Sequence, residues 1–461
     1  MPQITLPPEL HELVIGVYGD QLVVAVTLGF MLRRDVRATL GACALVCKHW
    51  HAFTLRYTFY GVWICQDRRS RAHFALLTEL IKTNPYIKQC IRDTDLKLPA
   101  EFDTTSLENM CRVISPIETL RIYNTVSTST QNLSRASTLD SLRPILVTPH
   151  LRDLTLYSRT ISTRLLEVLH SVQSLSLQGV RMVVVDHGLK GQDSGTRRHS
   201  ALRKLVLHPA EFVLASIGAA VESDRELFGF FENIRSLELS FEITRLGNAR
   251  PWNAMLARWS DLEKLEINWI VNGESVSYHR LSDGTSNAHL AEPGDRFLIS
   301  VRAVPWTSFK ALRSLTFCIN DQGFDPKLLV VAVADASTTF FAGPSRLQQL
   351  RHMHFTYKNC VEYEGKEDDY LDLQLLDAIY HSSLNRTIAN DPNNFPALKS
   401  FYMELVCSVM LRKGLSAPSQ AQIAQLLEDR LPAIYGPGGR RESEGWAMSI
   451  EAIVHTSFTV S

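Results

Sequence analysis

One short phrase recurs along the second three-quarters of this chain: an apolar residue, two others, an apolar residue, one other, an apolar residue. It reads Ile117-Leu120-Ile122, Leu151-Leu154-Leu156, Val172-Leu175-Leu177, Leu202-Leu205-Leu207 and Ile234-Leu237-Leu239. It returns as Leu262-Leu265-Ile267, Leu312-Leu315-Phe317, Leu350-Met353-Phe355 and Leu398-Phe401-Met403. Six of the nine carry a basic residue at the second position: Arg152, Arg203, Arg235, Arg313, Arg351 and Lys399. The fourth and sixth positions are two apart, the period of a strand, so both point to one face and the residues between them to the other. One such strand cannot bury its apolar face alone. Neighbours must stack and share one continuous core.

This phrase is the strand signature of a leucine-rich repeat. Intervening segments carry helical patterns, such as Arg164–Leu169 and Leu373–Ile379. The phrases recur every ~20 to 50 residues, looser than a regular repeat, which predicts an arc with insertions. The expected fold class is therefore α/β: an N-terminal helical module, then an irregular leucine-rich-repeat solenoid with a curved parallel sheet. A tail with Ile423, Leu426, Leu427 and Leu431 is expected to cap the far end as a helix. Loops at Gly188–Ser200, Gly273–Gly294 and Glu362–Asp369 are rich in Gly, Ser and charge and are expected as mobile surface insertions.

The outward positions between the apolar ones make the candidate binding face. Tyr157, His208, Glu238, Lys264 and Tyr402 are its larger or charged members and are the expected target-binding residues. Mixed charge suits a protein surface better than a phosphate backbone.

Upstream of the repeats the pattern is helical. Leu10, Leu13, Val14 and Val17 follow Leu6-Pro7-Pro8-Glu9 at helical spacing. A second helical stretch follows Asp35, a candidate N-cap, and a stripe of Val46, Trp50, Phe53 and Tyr57 overlaps it. Leu6-Pro7-Pro8-Glu9-Leu10 with Cys43-Ala-Leu-Val-Cys-Lys-His-Trp50 resembles an F-box, of the F-box-like kind expanded in higher fungi. Tyr57–Ile64 is similar to the aromatic-then-strand segment after such a box, and Phe74–Arg92 to the lead-in to the repeats. The resemblance implies docking on the Skp adaptor of a cullin-based SCF ubiquitin ligase through Leu6, Pro7, Leu10, Leu45, Val46 and Trp50. The interval from Leu10 to Leu45 is longer than the family shows, and carries the apolar run Leu22–Leu32. The expected domains are an F-box-like helical module at 1–65 and a repeat array with its C-terminal cap at 66–461.

Other chemistries find little support. The 48 basic and 48 acidic residues cancel, so composition gives no pull toward nucleic acid. Eight cysteines with no secretory signal read as buried reduced thiols, fitting a cytoplasmic or nuclear compartment. The apolar stretch Leu13–Leu32 is interrupted by Asp20, Gln21 and glycines, so no membrane span is expected. Cys43 and Cys47 lack a second ligand pair for zinc. Gln192-Asp193-Ser194-Gly195 is a protease-like tetrapeptide without a surrounding protease pattern. His352 and His354 share a strand face with no third ligand in view. No catalytic, cofactor or metal site is expected. The functional expectation is a substrate-recognition adaptor that holds the Skp adaptor by its helices and an unknown protein target by its repeat face. The alternative is a ligase-independent repeat scaffold whose helices serve only as a cap.

Overall fold

The computed structural model describes residues 34–65, 68–98, 104–114, 116–124, 136–158, 160–184, 200–224, 227–242, 254–272, 304–322, 347–363, 397–411 and 447–458. The chain divides into two compact units. The first gathers residues up to Leu202 with Ala220–Phe231, and the second holds the remainder.

The first unit opens on two helices, α1 (Arg34–Ala44) and α2 (Lys48–Thr58). Leu40 is buried between them, with Cys43, Trp50, Phe53 and Tyr57 packed against it. The chain then alternates strand and helix: β1 (Gly61–Cys65), α3 (Arg68–Thr83), α4 (Pro85–Cys90), β2 (Asp93–Leu98), α5 (Thr104–Val113), β3 (Thr119–Asn124), α6 (Ala136–Leu146) and β4 (Asp153–Tyr157). The short β5 (Thr160–Ser162) and one-turn α7 (Arg164–Glu167) lead to β6 (Ser174–Gln178) and β7 (Arg181–Val183). Strands β1, β2, β3, β4 and β6 pair in that order, every pair parallel. β5 and β7 form a separate parallel pair. Local chemistry explains the joints. Pro85 fits the first turn of α4, where its missing N–H has no partner to lose, and Asn84 Oδ1 accepts the Tyr86 N–H at 3.2 Å. Gly179 takes a φ of +66°, a left-handed turn between β6 and β7 that glycine adopts without strain.

The second unit holds β8 (Lys204–His208), most of α8 (Ala210–Ser223), β9 (Ser236–Glu242), β10 (Lys264–Asn272), β11 (Ser314–Gln322), β12 (His352–Tyr363), β13 (Ser400–Leu411) and β14 (Ala447–Phe458). The end of α8 and all of α9 (Phe228–Phe231) count with the first unit. The seven strands pair in sequence order and all in parallel. This is the leucine-rich-repeat type of solenoid: each strand lies beside the strand of the next repeat.

Register shows why. Leu205, Leu237, Leu265, Leu315, Met353 and Phe401 are partners across successive strands, and so are Leu207, Leu239, Ile267, Phe317, Phe355 and Met403. In the first unit Leu120, Leu154 and Leu175 form one such row and Ile122, Leu156 and Leu177 the next. The first-position residues from Ile117 to Leu398 are buried as well. The helices of the first unit carry apolar stripes that are buried too, Leu107, Met110 and Cys111 on α5 and Leu142, Ile145 and Leu146 on α6. Leu237 is fully buried. Leu237→Ala should therefore lower the unfolding free energy by about 2–5 kcal/mol, read from the denaturant midpoint.

Several expectations need correction. Asp35 is not an N-cap but lies inside α1. Val46 does not continue the stripe of Trp50, Phe53 and Tyr57: the helix breaks at a turn, and Val46 is exposed there. The helix expected at Arg164–Leu169 is a single turn. Glu362 and Tyr363 end β12, so the acidic run begins in a strand and not in a loop. Cys47 is exposed, whereas Cys90 and Cys111 are buried as free thiols. Beyond the last phrase a further strand, β14, pairs with β13. Gly188–His199, Gly273–Gly294, Leu373–Ile379, Ile423–Leu431 and the tetrapeptide at Gln192 lie outside the described residues, as does Leu13–Leu32.

Candidate functional site

The outward face of the first unit is built in rows by strand register. Trp63, Asp95, Arg121, Thr155 and Ser176 form one row, and Lys97, Tyr123, Tyr157 and Gln178 form the next. Arg121 is the centre of the first row. Its guanidinium donates to both carboxylate oxygens of Asp93, at 2.8 and 3.0 Å, and to Asp95 at 2.7 Å. The Arg121 and Asp93 side chains are 13% and 5% exposed, so this is an ion cluster largely withdrawn from water. Burial pushes the Asp93 carboxyl above its usual range, and Arg121 pulls only part of the way back. Burial works against the Arg121 charge too, but the carboxylates of Asp95 and Asp93 outweigh it and hold the guanidinium protonated.

Around this cluster stand aromatic groups. Trp63 is 69% exposed, next to Asp95 in register. Tyr123 and Tyr157 stack nearly parallel, ring centroids 4.4 Å apart at 12°. Burial, with the negative charge of Asp95, raises the Tyr123 pKa, so its phenol stays protonated. One exposed tryptophan and two half-buried tyrosines beside a fixed arginine are the residue types that anchor interfaces.

In the second unit the outward rows mix charge. Lys204 reaches Glu238 at 3.4 Å, His208 reaches Glu242 at 3.8 Å and Lys264 reaches Glu266 at 3.8 Å. His354 lies 4.6 Å from the Tyr402 ring and 3.9 Å from Glu404, whose carboxylate also accepts the Thr356 hydroxyl at 3.2 Å. Burial lowers the His354 pKa despite Glu404, which favours the neutral ring.

The residues expected to meet a target are thus distributed. Tyr157 is on the first unit's face, while His208, Glu238, Lys264 and Tyr402 are on strands of the second. Trp63, Arg121 and Tyr123 were not among those expected. Reading the phrase two repeats further toward the N-terminus, as Phe59-Val62-Ile64, would have put Trp63 on the outward face. The phrase at Ile117 already puts Arg121 and Tyr123 there.

Of the six residues expected to meet the adaptor, Leu6, Pro7 and Leu10 lie outside the described residues. Leu45 and Val46 form the turn between α1 and α2 and are 87% and 62% exposed. That turn is closed by the Leu45 N–H donating to Ala42 O and the Val46 N–H to Cys43 O, both at 3.1 Å. Trp50 is half-buried against Leu40.

Among the described residues no group of three His, Cys, Asp or Glu side chains could hold a metal ion, and no helix is long and apolar enough to cross a membrane. The Cys111 thiol is pushed up to about 12, chiefly by burial, so it is held as the unreactive thiol at neutral pH.

No protein-family model matches the sequence, and no curated protein matches it. Among solved structures it is similar to the leucine-rich repeat-containing protein LegL7 from Legionella pneumophila. That likeness has a TM-score of 0.35 at 10% identity, and covers 81% of this chain and 98% of the other.

Proposed function

We propose that this chain is a non-catalytic recruiting adaptor, binding a protein target on its outward strand face and the Skp adaptor of an SCF-type, cullin-based ubiquitin ligase through its N-terminal helices. The observation that carries the recruiting half is the strand face itself. Its side chains stand on paired parallel strands, so few degrees of freedom are lost when a partner docks. On the first unit's strand face Tyr157 with Trp63 and Tyr123 supplies aromatic anchors, and on the second unit's strand face His208, Glu238, Lys264 and Tyr402 supply polar contacts. In this reading residues 1–65 are the docking module and 66–461 the recruiting array, with β1 already paired to the array's first strand. The chain's contribution to ubiquitin transfer is to raise the target's effective concentration beside an enzyme carried by other subunits.

The exposed Leu45–Val46 turn supports the adaptor half. Two neighbouring apolar side chains in water are an unfavourable arrangement that a partner would relieve. Trp50 favours the second reading, a ligase-independent scaffold, because it packs inward on Leu40 and so serves an internal core. Co-expression with the Skp adaptor separates the two. The adaptor reading expects one comigrating complex on gel filtration. It also expects the exposed double variant Leu45→Asp/Val46→Asp to elute folded and alone. Clean separation of the wild-type chain from the adaptor, with the chain folded, would leave the scaffold.

A further inference from the structure

The second residue of each repeat phrase sits one position before its strand, and the ladder fixes it in a row. The Arg313 carbonyl accepts the N–H groups of Arg351 and His352, at 2.8 and 3.0 Å, and the Arg351 carbonyl accepts those of Lys399 and Ser400, at 2.8 and 3.1 Å. Neighbours in such a row are about 4.8 Å apart, the spacing of paired strands. In the second unit the row runs Arg203, Arg235, Glu263, Arg313, Arg351, Lys399.

Its two ends differ. Arg235 pairs with Glu263, and Arg203 donates to the Asn233 carbonyl at 3.4 Å. In the first unit Arg92 is likewise paired, with Glu118 at 3.3 Å. Arg313, Arg351 and Lys399 are exposed and have no carboxylate partner among the described residues. Lys310 adds a fourth exposed cation, and His352 stands beside Arg351 with its Nδ1 2.8 Å from the Ser400 hydroxyl. The strand approaches 304–314, 347–352 and 397–400 contain no Asp or Glu, although acidic and basic residues balance over the whole chain. Cations held this close repel one another, and backbone pairing alone does not call for them: Glu118, Gln173 and Glu263 fill the same position elsewhere.

We propose that the strand-start edge of β11–β13 is a second docking surface, taking an acidic segment of a protein partner on Arg313, Arg351, Lys399 and Lys310. The row is narrow. Glu263 closes it on the β10 side, and Glu404 stands further along β13. Single carboxylate or phosphate side chains of a peptide reach such a row, whereas a nucleic-acid backbone would spread its phosphates over those carboxylates. The surface is distinct from the Leu45–Val46 turn and from the Trp63–Tyr157 face, so its failure would leave the recruiting reading standing.

The test uses the full chain and labelled ten-residue peptides alternating glycine with glutamate, phosphoserine or glutamine, plus a ten-nucleotide single-stranded RNA, read by fluorescence anisotropy. The glutamate or phosphoserine peptide should bind and weaken as salt is raised, while the glutamine peptide should not bind. Tighter binding of phosphoserine assigns the row to phosphorylated segments, and equal binding assigns it to acidic segments in general. The triple charge reversal Arg313→Glu/Arg351→Glu/Lys399→Glu should lose 10-fold or more, and the milder triple glutamine variant should lose several-fold. Arg152→Glu, in the first unit's row, should change affinity less than 2-fold. Adaptor co-elution should be unchanged in all three. Absence of binding by both acidic peptides, equal affinity in the triple variants, or tighter binding of the RNA would each overturn the proposal.

Discussion

Replacing Arg121 by alanine should destabilise the protein by about 3–5 kcal/mol, because it strands two carboxylates that folding has taken out of water. Asp93 is 5% exposed and Asp95 24%, and Arg121 is the cation that holds both. The loss is a large share of a marginal folding free energy, roughly 5–15 kcal/mol for a domain. The effect belongs to the uncompensated charge rather than to the lost contacts alone. Asp93→Asn in the Arg121→Ala background should therefore recover part of it, while adding no contact to the arginine. Urea unfolding of the wild type, the single variants and the double variant gives the coupling directly. A loss below about 1 kcal/mol for Arg121→Ala would mean that the cluster is solvated and does not organise the face.

The second large effect concerns recognition. Trp63→Ala and Tyr157→Ala should each weaken a captured target by roughly 30-fold or more, equivalent to about 2 kcal/mol, since aromatic anchors at the centre of an interface carry most of its energy. Tyr157 stacks on Tyr123, so its removal also frees the neighbouring ring. Tyr402→Ala, beside His354, is expected to act in the same direction if the target reaches the second unit's face. Adaptor binding should be untouched by all three. Thermal melting of each variant separates lost recognition from lost folding. Trp63 is largely exposed, so its variant should melt as the wild type does.

How much of this could be read beforehand follows from where the information sits. The nine phrases were legible because their apolar residues recur at strand period and each strand buries them in its own unit. Two further repeats carry the same phrase in disguise. Ile91-Thr94-Leu96 places a threonine in the fourth position, buried like the leucines it replaces, and its hydroxyl has no hydrogen-bond partner among the described residues. Phe59-Val62-Ile64 runs straight out of a helix and reads as that helix's end. Strand length was not legible either. The phrase marks where a strand starts, but Phe241, Trp269 and Ile319, partners in register and all buried, extend the inner face beyond it. Least legible was the Arg121 cluster. Asp93 and Asp95 lie 28 and 26 residues before Arg121, and only the β2–β3 register brings them together. Spacing within one segment carries no trace of such a pairing.

The central claim is that a protein target sits on the outward strand face, and site-specific photocrosslinking tests it most directly. A benzophenone side chain placed at Thr155 or Ser176, on the outward row of β4 and β6, should capture the target in pulldowns. The same group at exposed Asp140 or Val147, on and just after α6, should capture none. Target crosslinks from Asp140 or Val147, with none from Thr155 or Ser176, would contradict the account.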